Sequence, residues 1–335
     1  MTSDGCGIRR PRTNEESDLS IEFPTAVTLV EVGPRDGLQS LTEIYPTEVK
    51  VRMVEILAEA GLKKIEVTGF VRPSYIPQLA DGEEVFKRIR RKPGVVYRAL
   101  CPNRRGAERA VASGVDEILG LITASESYNR KNSNMTVDEN LAEAAAMSRV
   151  AQDAGIPMVM AIGVCMFCPY EGELPESRIV ELIEQLRSNG IDEFYLATSV
   201  GLDGPRKVHR TFSLIKEHWP ELPLGIHLHN TNGMALANAL AAMDAGATRF
   251  EGSICGIGGG IRMPYGMAHY GNVSTEDLAH MFFELGIDTG VDVERLIVAG
   301  REVQDLLGLE TSFSYASAGG TKQAVLEQGR TAPRH

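Results

Sequence analysis

Eight short apolar runs, each followed by an amphipathic helical stretch, alternate along the chain without a break in composition. The runs cover 27–32, 64–70, 95–101, 117–122, 158–164, 193–199, 224–229 and 249–255. Most are apolar over much of their length, as strands covered on both faces must be. Helical patterns such as 47–60 and 137–154 lie between them. A glycine recurs where helix gives way to strand, at Gly61, Gly114, Gly155, Gly190 and Gly246, the signature of a left-handed helix cap. Eight strand–helix units in order predict an α/β chain folded as a (β/α)8 TIM barrel with extra C-terminal helices. A doubly wound sheet is the rival, but it rarely carries eight strands in uninterrupted alternation. A chain of 335 residues is long for an ordinary domain and ordinary for such a barrel. The expected boundaries are a flexible tail over 1–22, a catalytic barrel over 23–310, and a partly disordered C-terminal extension over 311–335.

Composition removes several classes of function. The chain is 43% hydrophobic but holds no apolar run long enough to span a bilayer, so no membrane partner is expected. A net charge of −11 argues against a nucleic-acid surface, which needs a basic stripe. The first 22 residues lack the apolar core of a secretory signal. Five cysteines form a sparse, odd set that suits the reducing cytoplasm. Cys165 and Cys168 have C-x-x-C spacing, but they follow a strand-like run instead of opening a helix. They read as a packed or substrate-lining pair, not a redox couple.

A barrel places its chemistry at the C-terminal ends of its strands, and there the unusual polar residues fall. His227-Leu-His229 closes the seventh run. Residues i and i+2 of a strand project to one face, so two imidazoles can grip one cation. Arg35-Asp36 follows the first run, Glu66 lies on the second, and Thr198 ends the sixth. Two imidazoles with the Asp36 carboxylate make a mixed nitrogen–oxygen set without cysteine, which favours Mg²⁺ or Mn²⁺ over structural zinc. Arg35 adds a fixed cationic fork for an oxyanion. Such a pocket suits carbon–carbon cleavage or formation in which an enolate develops. Gly256-Ile-Gly-Gly-Gly260 lacks the dinucleotide order G-x-G-x-x-G; it reads either as a flexible turn or as an active-site flap.

Four segments resemble the 3-hydroxy-3-methylglutaryl-CoA lyase family: Glu31-Val-Gly-Pro-Arg-Asp-Gly-Leu-Gln39, Lys64-Ile-Glu-Val-Thr-Gly-Phe-Val71, Cys168-Pro-Tyr-Glu-Gly172 and Gly271-Asn-Val-Ser-Thr-Glu-Asp277. The likeness runs from about residue 25 to residue 307. It implies a divalent cation held by Asp36, His227, His229 and Asn272, with Glu66 supporting that shell and Arg35 stabilising the enolate of the departing thioester. It also implies that the stretch 125–132 lies near the nucleotide of coenzyme A, with Arg130, Lys131 and Asn132 as contacts.

Four positions depart from the family pattern. The family's loop cysteine, which handles a proton, reads Met263 ahead of Pro264-Tyr265, displaced by the extra Gly260-Ile261-Arg262. A thioether cannot transfer a proton. The family's Gly-Asp-Thr reads Ala197-Thr198-Ser199, a nearby Ser reads Tyr195, and the Asp after the second histidine reads Asn230. These changes imply an altered substrate, altered acid–base machinery, or both. His269, Tyr265 and Tyr195 are the candidates for the missing proton donor.

The expected protein is therefore a metal-dependent lyase that cleaves a 3-hydroxyacyl, HMG-CoA-like substrate by retro-aldol or retro-Claisen chemistry. An aldolase or carboligase on a different substrate is the alternative, and a silent acyl-CoA-binding homologue is the third. The expected partner is a small molecule, an acyl-CoA, and the expected assembly is a homodimer or larger homo-oligomer.

Overall fold

The computed structural model describes residues 23–259 and 271–331. The 1–22 tail lies outside them, as do Met263, Tyr265 and His269 of the glycine-rich loop. Each apolar run contains a strand: β1 (Thr28–Glu31), β2 (Lys64–Gly69), β3 (Val96–Cys101), β4 (Glu117–Thr123) and β5 (Met158–Gly163). A two-residue hairpin, β6 (Phe167–Cys168) with β7 (Gly172–Glu173), follows the fifth. The set ends with β8 (Phe194–Thr198), β9 (Leu224–Leu228) and β10 (Arg249–Gly252). Excluding the hairpin, all strands pair in parallel and close as β1-β10-β9-β8-β5-β4-β3-β2. This is the (β/α)8 barrel, with further helices at Tyr315–Gly319 and Lys322–Thr331.

Local chemistry sets the helix ends. The helix Val137–Ala154 starts at Thr136, whose side chain accepts from Glu139 N at 3.0 Å while the Glu139 carboxylate accepts from Thr136 N at 2.7 Å. That reciprocal pair satisfies two otherwise orphaned donors. It stops at Gly155, φ 67°, where a side chain would be strained. The last run is shorter than its apolar pattern because 254–256 winds into a tight turn with Cys255 at φ 58°. No helix among the described residues is long and apolar enough to cross a membrane.

The barrel interior is filled in layers. Salt bridges close its N-terminal mouth: Lys64 to Glu117 at 2.6 Å and Arg249 to Glu193 at 2.9 Å. Val30, Val32, Leu100, Leu119, Val159, Ala161 and Tyr195 form a separate apolar cluster within the interior. Gly225 makes room for Tyr195, since a Cβ there would meet the ring at 2.4 Å. Packing of this kind leaves the opposite, C-terminal mouth to carry polar groups.

Candidate metal centre and active site

The turn after β1 presents the first two site residues. Amides of Arg35, Asp36 and Gly37 all donate to the Val32 carbonyl, at 3.1, 2.7 and 3.3 Å, and wind 33–37 into one π-type turn. Such turns re-aim side chains and are frequent at functional sites. Glu31 anchors the turn: one carboxylate oxygen accepts from Gly33 N at 2.7 Å and Ile254 N at 2.9 Å, the other from Thr275 Oγ1 at 2.7 Å. Both site side chains are buried. Arg35 Nη1 donates to Asp36 Oδ1 at 2.5 Å, and Arg35 Nε donates to Glu66 Oε1. Gln39 Nε2 donates to Asp36 Oδ1 at 3.0 Å, and Asn272 Nδ2 to Asp36 Oδ2 at 2.8 Å.

Across the mouth, His227 lies on β9 and His229 just beyond it. Their Nε2 atoms approach to 3.1 Å. Ligand atoms of Asp36, His227 and His229 lie within 4.8 Å of one another, and all three residues are buried. Burial and then the charge of His227 push the His229 imidazole down to about 4, so it is neutral at neutral pH. Burial opposes charge on His227, but the hydrogen bond and charge of Glu251 outweigh it and raise its pKa. Burial would raise the Asp36 carboxyl; Arg35 and then the two histidines hold it well below the usual range. The donor set fits a divalent cation on a specific observation. Two imidazole nitrogens point at one spot beside an ionised carboxylate, and Asn272 Oδ1 is buried without a hydrogen-bond partner. Orphaned buried acceptors of this kind are costly unless a ligand uses them.

Asn272 is held at the site by backbone pairing on either side of it. Val273 N donates to the Leu228 carbonyl at 2.9 Å and Asn230 N to the Gly271 carbonyl at 3.0 Å. A Cβ at Gly258 would meet Asn272 Nδ2 at 2.5 Å. The described part of the glycine run is therefore a close backbone approach and not a slack turn.

Two buried charges behind the site were absent from the sequence reading. His227 Nδ1 lies 2.8 Å from Glu251 Oε2 on β10, and the other Glu251 oxygen accepts from Arg98 Nη2 on β3. Arg98 Nε and Nη2 also reach Glu66 Oε2 at 2.8 and 2.5 Å. Burial disfavours the ionised form of Glu251, but Arg98 and then His227 keep it below the ordinary carboxylate range. The signal available in sequence was a single charge inside the apolar run of β3, Tyr97-Arg98-Ala99, and a second charge beside Arg249 in β10, Phe250-Glu251-Gly252.

Tyr195 requires a correction. It is fully buried in the apolar layer, and its hydroxyl donates to Glu193 Oε1 at 3.2 Å, beside the N-terminal mouth. The hydroxyl thus faces away from the histidine pair, which removes Tyr195 from the candidate donors. Thr198 is buried, with its hydroxyl 3.4 Å from the His227 carbonyl. Arg130, Lys131 and Asn132 lie on the helix Glu126–Ser133, where exposed Arg130 pairs with Glu126 at 2.9 Å and Lys131 sits 4.7 Å over the Tyr170 ring. Cys165 and Cys168 are buried free thiols; Cys168 Sγ lies 3.0 Å from Ser125 Oγ.

Beneath the turn, desolvation pushes the buried carboxyl of Glu276 up to about 8 and that of Glu31 up to about 7. Both Glu276 oxygens accept from Cys255 N at 3.1 Å. A raised carboxyl pKa means that the native state binds the proton more tightly than the unfolded chain does. Stability therefore falls as pH rises from the ordinary carboxylate range through about 8. Urea unfolding of wild type should show this decline between about pH 5 and 8, and Glu276→Gln, which cannot ionise, should make it shallower and leave the share due to Glu31. Parallel pH dependences in the two proteins would exclude Glu276 as the source.

Comparison with known proteins agrees with this geometry. The sequence profile of the HMGL-like family matches residues 26–303. The mitochondrial hydroxymethylglutaryl-CoA lyase of Bos taurus is 39% identical over 296 residues, which are 88% of this chain and 90% of that protein. The cytoplasmic 3-hydroxy-3-methylglutaryl-CoA lyase of Danio rerio is 37% identical over 297 residues, 89% of this chain and 88% of that one. Among solved structures, an HMG-CoA lyase from Acinetobacter baumannii, in complex with coenzyme A and 3-methylmalate, superposes with a TM-score of 0.84 at 35% identity. It covers 89% of this chain and 96% of that one. With the barrel and the buried Asp36–His227–His229 cluster, these likenesses establish that the chain belongs to the HMGL-like family.

Proposed function

We propose that this protein is a divalent-metal-dependent carbon–carbon lyase that cleaves 3-hydroxy-3-methylglutaryl-CoA, or a 3-hydroxyacyl-CoA of the same shape. The observation that carries the reading is the convergence of Asp36, His227 and His229 beside Arg35 in one buried mouth, in a chain of this family. The relatives named above, matched over most of their length, are lyases, which favours cleavage over the carboligase alternative.

Asp36, His227, His229 and Asn272 would hold the cation, Mg²⁺ or Mn²⁺ by the oxygen–nitrogen donor set. When bound, the cation polarises the substrate's hydroxyl and carbonyl oxygens and lowers the hydroxyl pKa. Once a base takes that proton, the carbon–carbon bond breaks and negative charge moves onto the departing thioester enolate. Arg35, gripped by Glu66 and Asp36, meets that charge without having to reorganise. The enolate carbon must then be protonated. We assign that step to the 260–270 segment, with His269 first and Tyr265 second, because Met263 has no proton to give. Arg130, Lys131 and Asn132 are the proposed contacts to the coenzyme A nucleotide. The Tyr195 departure does not reshape the pocket, because Gly225 absorbs the ring lower in the barrel. The buried free thiols suit a reducing compartment, and we place the protein in the cytoplasm as a homo-oligomer.

Chelator-stripped protein should release no acetyl-CoA from 3-hydroxy-3-methylglutaryl-CoA, and added Mg²⁺ or Mn²⁺ should restore release. Turnover that persists in the stripped protein would overturn the metal role. Failure on every 3-hydroxyacyl-CoA with metal present would overturn the reaction.

A further inference from the structure

Arg98 sits in the middle of β3 with no solvent exposure. A guanidinium taken wholly out of water persists only where its partners satisfy it closely. Its partners here are Glu66 and Glu251, and each of these carboxylates gives its second oxygen to the reacting site. Glu66 Oε1 accepts from Arg35 Nε, and Glu251 Oε2 faces His227 Nδ1 at 2.8 Å. The result is one chain, Asp36–Arg35–Glu66–Arg98–Glu251–His227, whose ends, Asp36 Oδ2 and His227 Nε2, lie 3.9 Å apart.

The way Arg98 is satisfied separates this role from mere filling of the barrel. A third carboxylate lies below it, Glu117 Oε1, 3.9 Å from Nη1. Both atoms are buried without a hydrogen-bond partner. Arg98 directs its hydrogen bonds upward to the site's two carboxylates and leaves the lower pair unmade. All of its hydrogen bonds thus go to the two carboxylates that touch site residues, and none to the group at the N-terminal level. The Tyr195 ring, 5.0 Å from the guanidinium carbon, packs against it and limits its movement.

We propose that Arg98 is a positioning residue that couples the metal half of the site to the enolate-stabilising half. Through Glu251 it keeps a carboxylate on His227 Nδ1, so that Nδ1 carries the proton and Nε2 presents its lone pair to the cation. Through Glu66 it holds Arg35 in place. The inference rests on the metal-dependent lyase reading above.

The test uses full-length protein, with calorimetric titration of Mn²⁺ alone and steady-state kinetics at saturating Mn²⁺. Glu251→Gln should weaken Mn²⁺ binding by about 10–100-fold, with a smaller loss of kcat at saturating metal than Arg98→Met shows. Arg98→Met should weaken Mn²⁺ binding by a similar factor and also lower kcat at saturating metal by about tenfold or more, because Arg35 loses its brace. Arg98→Lys, which keeps the charge but cannot span two carboxylates, should fall between. Combining Arg98→Met with Glu251→Gln should weaken Mn²⁺ binding no more than either change alone, since both act through His227. Additive losses, or a folded Arg98→Met that binds Mn²⁺ like wild type, would overturn the proposal. If Arg98→Met does not fold, the same comparison is read from Arg98→Lys, where wild-type binding and kcat are the overturning result. Wild type that binds Mn²⁺ but cleaves no 3-hydroxyacyl-CoA defeats the lyase reading, and Mn²⁺ affinities alone then judge the Glu251–His227 arm. Wild type that binds no Mn²⁺ defeats both.

Discussion

Replacing His229 with alanine should leave a folded barrel that retains no divalent cation through dialysis and shows no measurable turnover. His229 follows β9, and the backbone contacts of this region, including the pairing of 229 with 272, do not depend on the imidazole. The residue is 5% exposed and contributes one of the two imidazole nitrogens that the cluster holds among the described residues. Losing an outer-shell partner typically weakens metal binding 10–100-fold, and losing a ligand should exceed that. Metal content of the dialysed protein, measured beside its circular dichroism, decides the matter. Stoichiometric metal in His229→Ala would show that the cation sits elsewhere.

Arg35→Lys should fold normally, bind Mn²⁺ within a few-fold of wild type, and lose about 10²–10³ in kcat, the usual effect of removing one oxyanion donor. Lysine keeps the charge but not the fork. Arg35 reaches Glu66 with Nε and Asp36 with Nη1 at once, and a single ammonium on a flexible stem cannot hold both carboxylates in that geometry. The effect should fall on kcat more than on KM, because the interaction strengthens as charge develops on the leaving fragment. Near-normal turnover would remove Arg35 from the chemistry.

Much of this architecture is legible from local pattern alone. The eight strands follow from apolar runs, and the helix ends from residues such as Gly61 and Gly155, because these signals act over a few residues. The shared facing of His227 and His229 is equally local, a consequence of the two-residue strand repeat. That Asp36 meets them is not. It follows from barrel closure, in which β1 pairs with β10 and β10 with β9, bringing residues nearly 200 positions apart to one mouth. Tyr195 shows the opposite outcome: its position in the chain suggested the pocket. The room left by Gly225 and the acceptor at Glu193 turned it towards the other mouth. Arg98 and Glu251 were hidden for a related reason. A charge within an apolar strand has no sequence-local partner, and only three strands brought together, β2, β3 and β10, supply the two carboxylates that keep a guanidinium in the barrel. Elements and ligand types were thus set by short-range stereochemistry; which charges face one another was decided by closure, where burial demands that each find its counterpart.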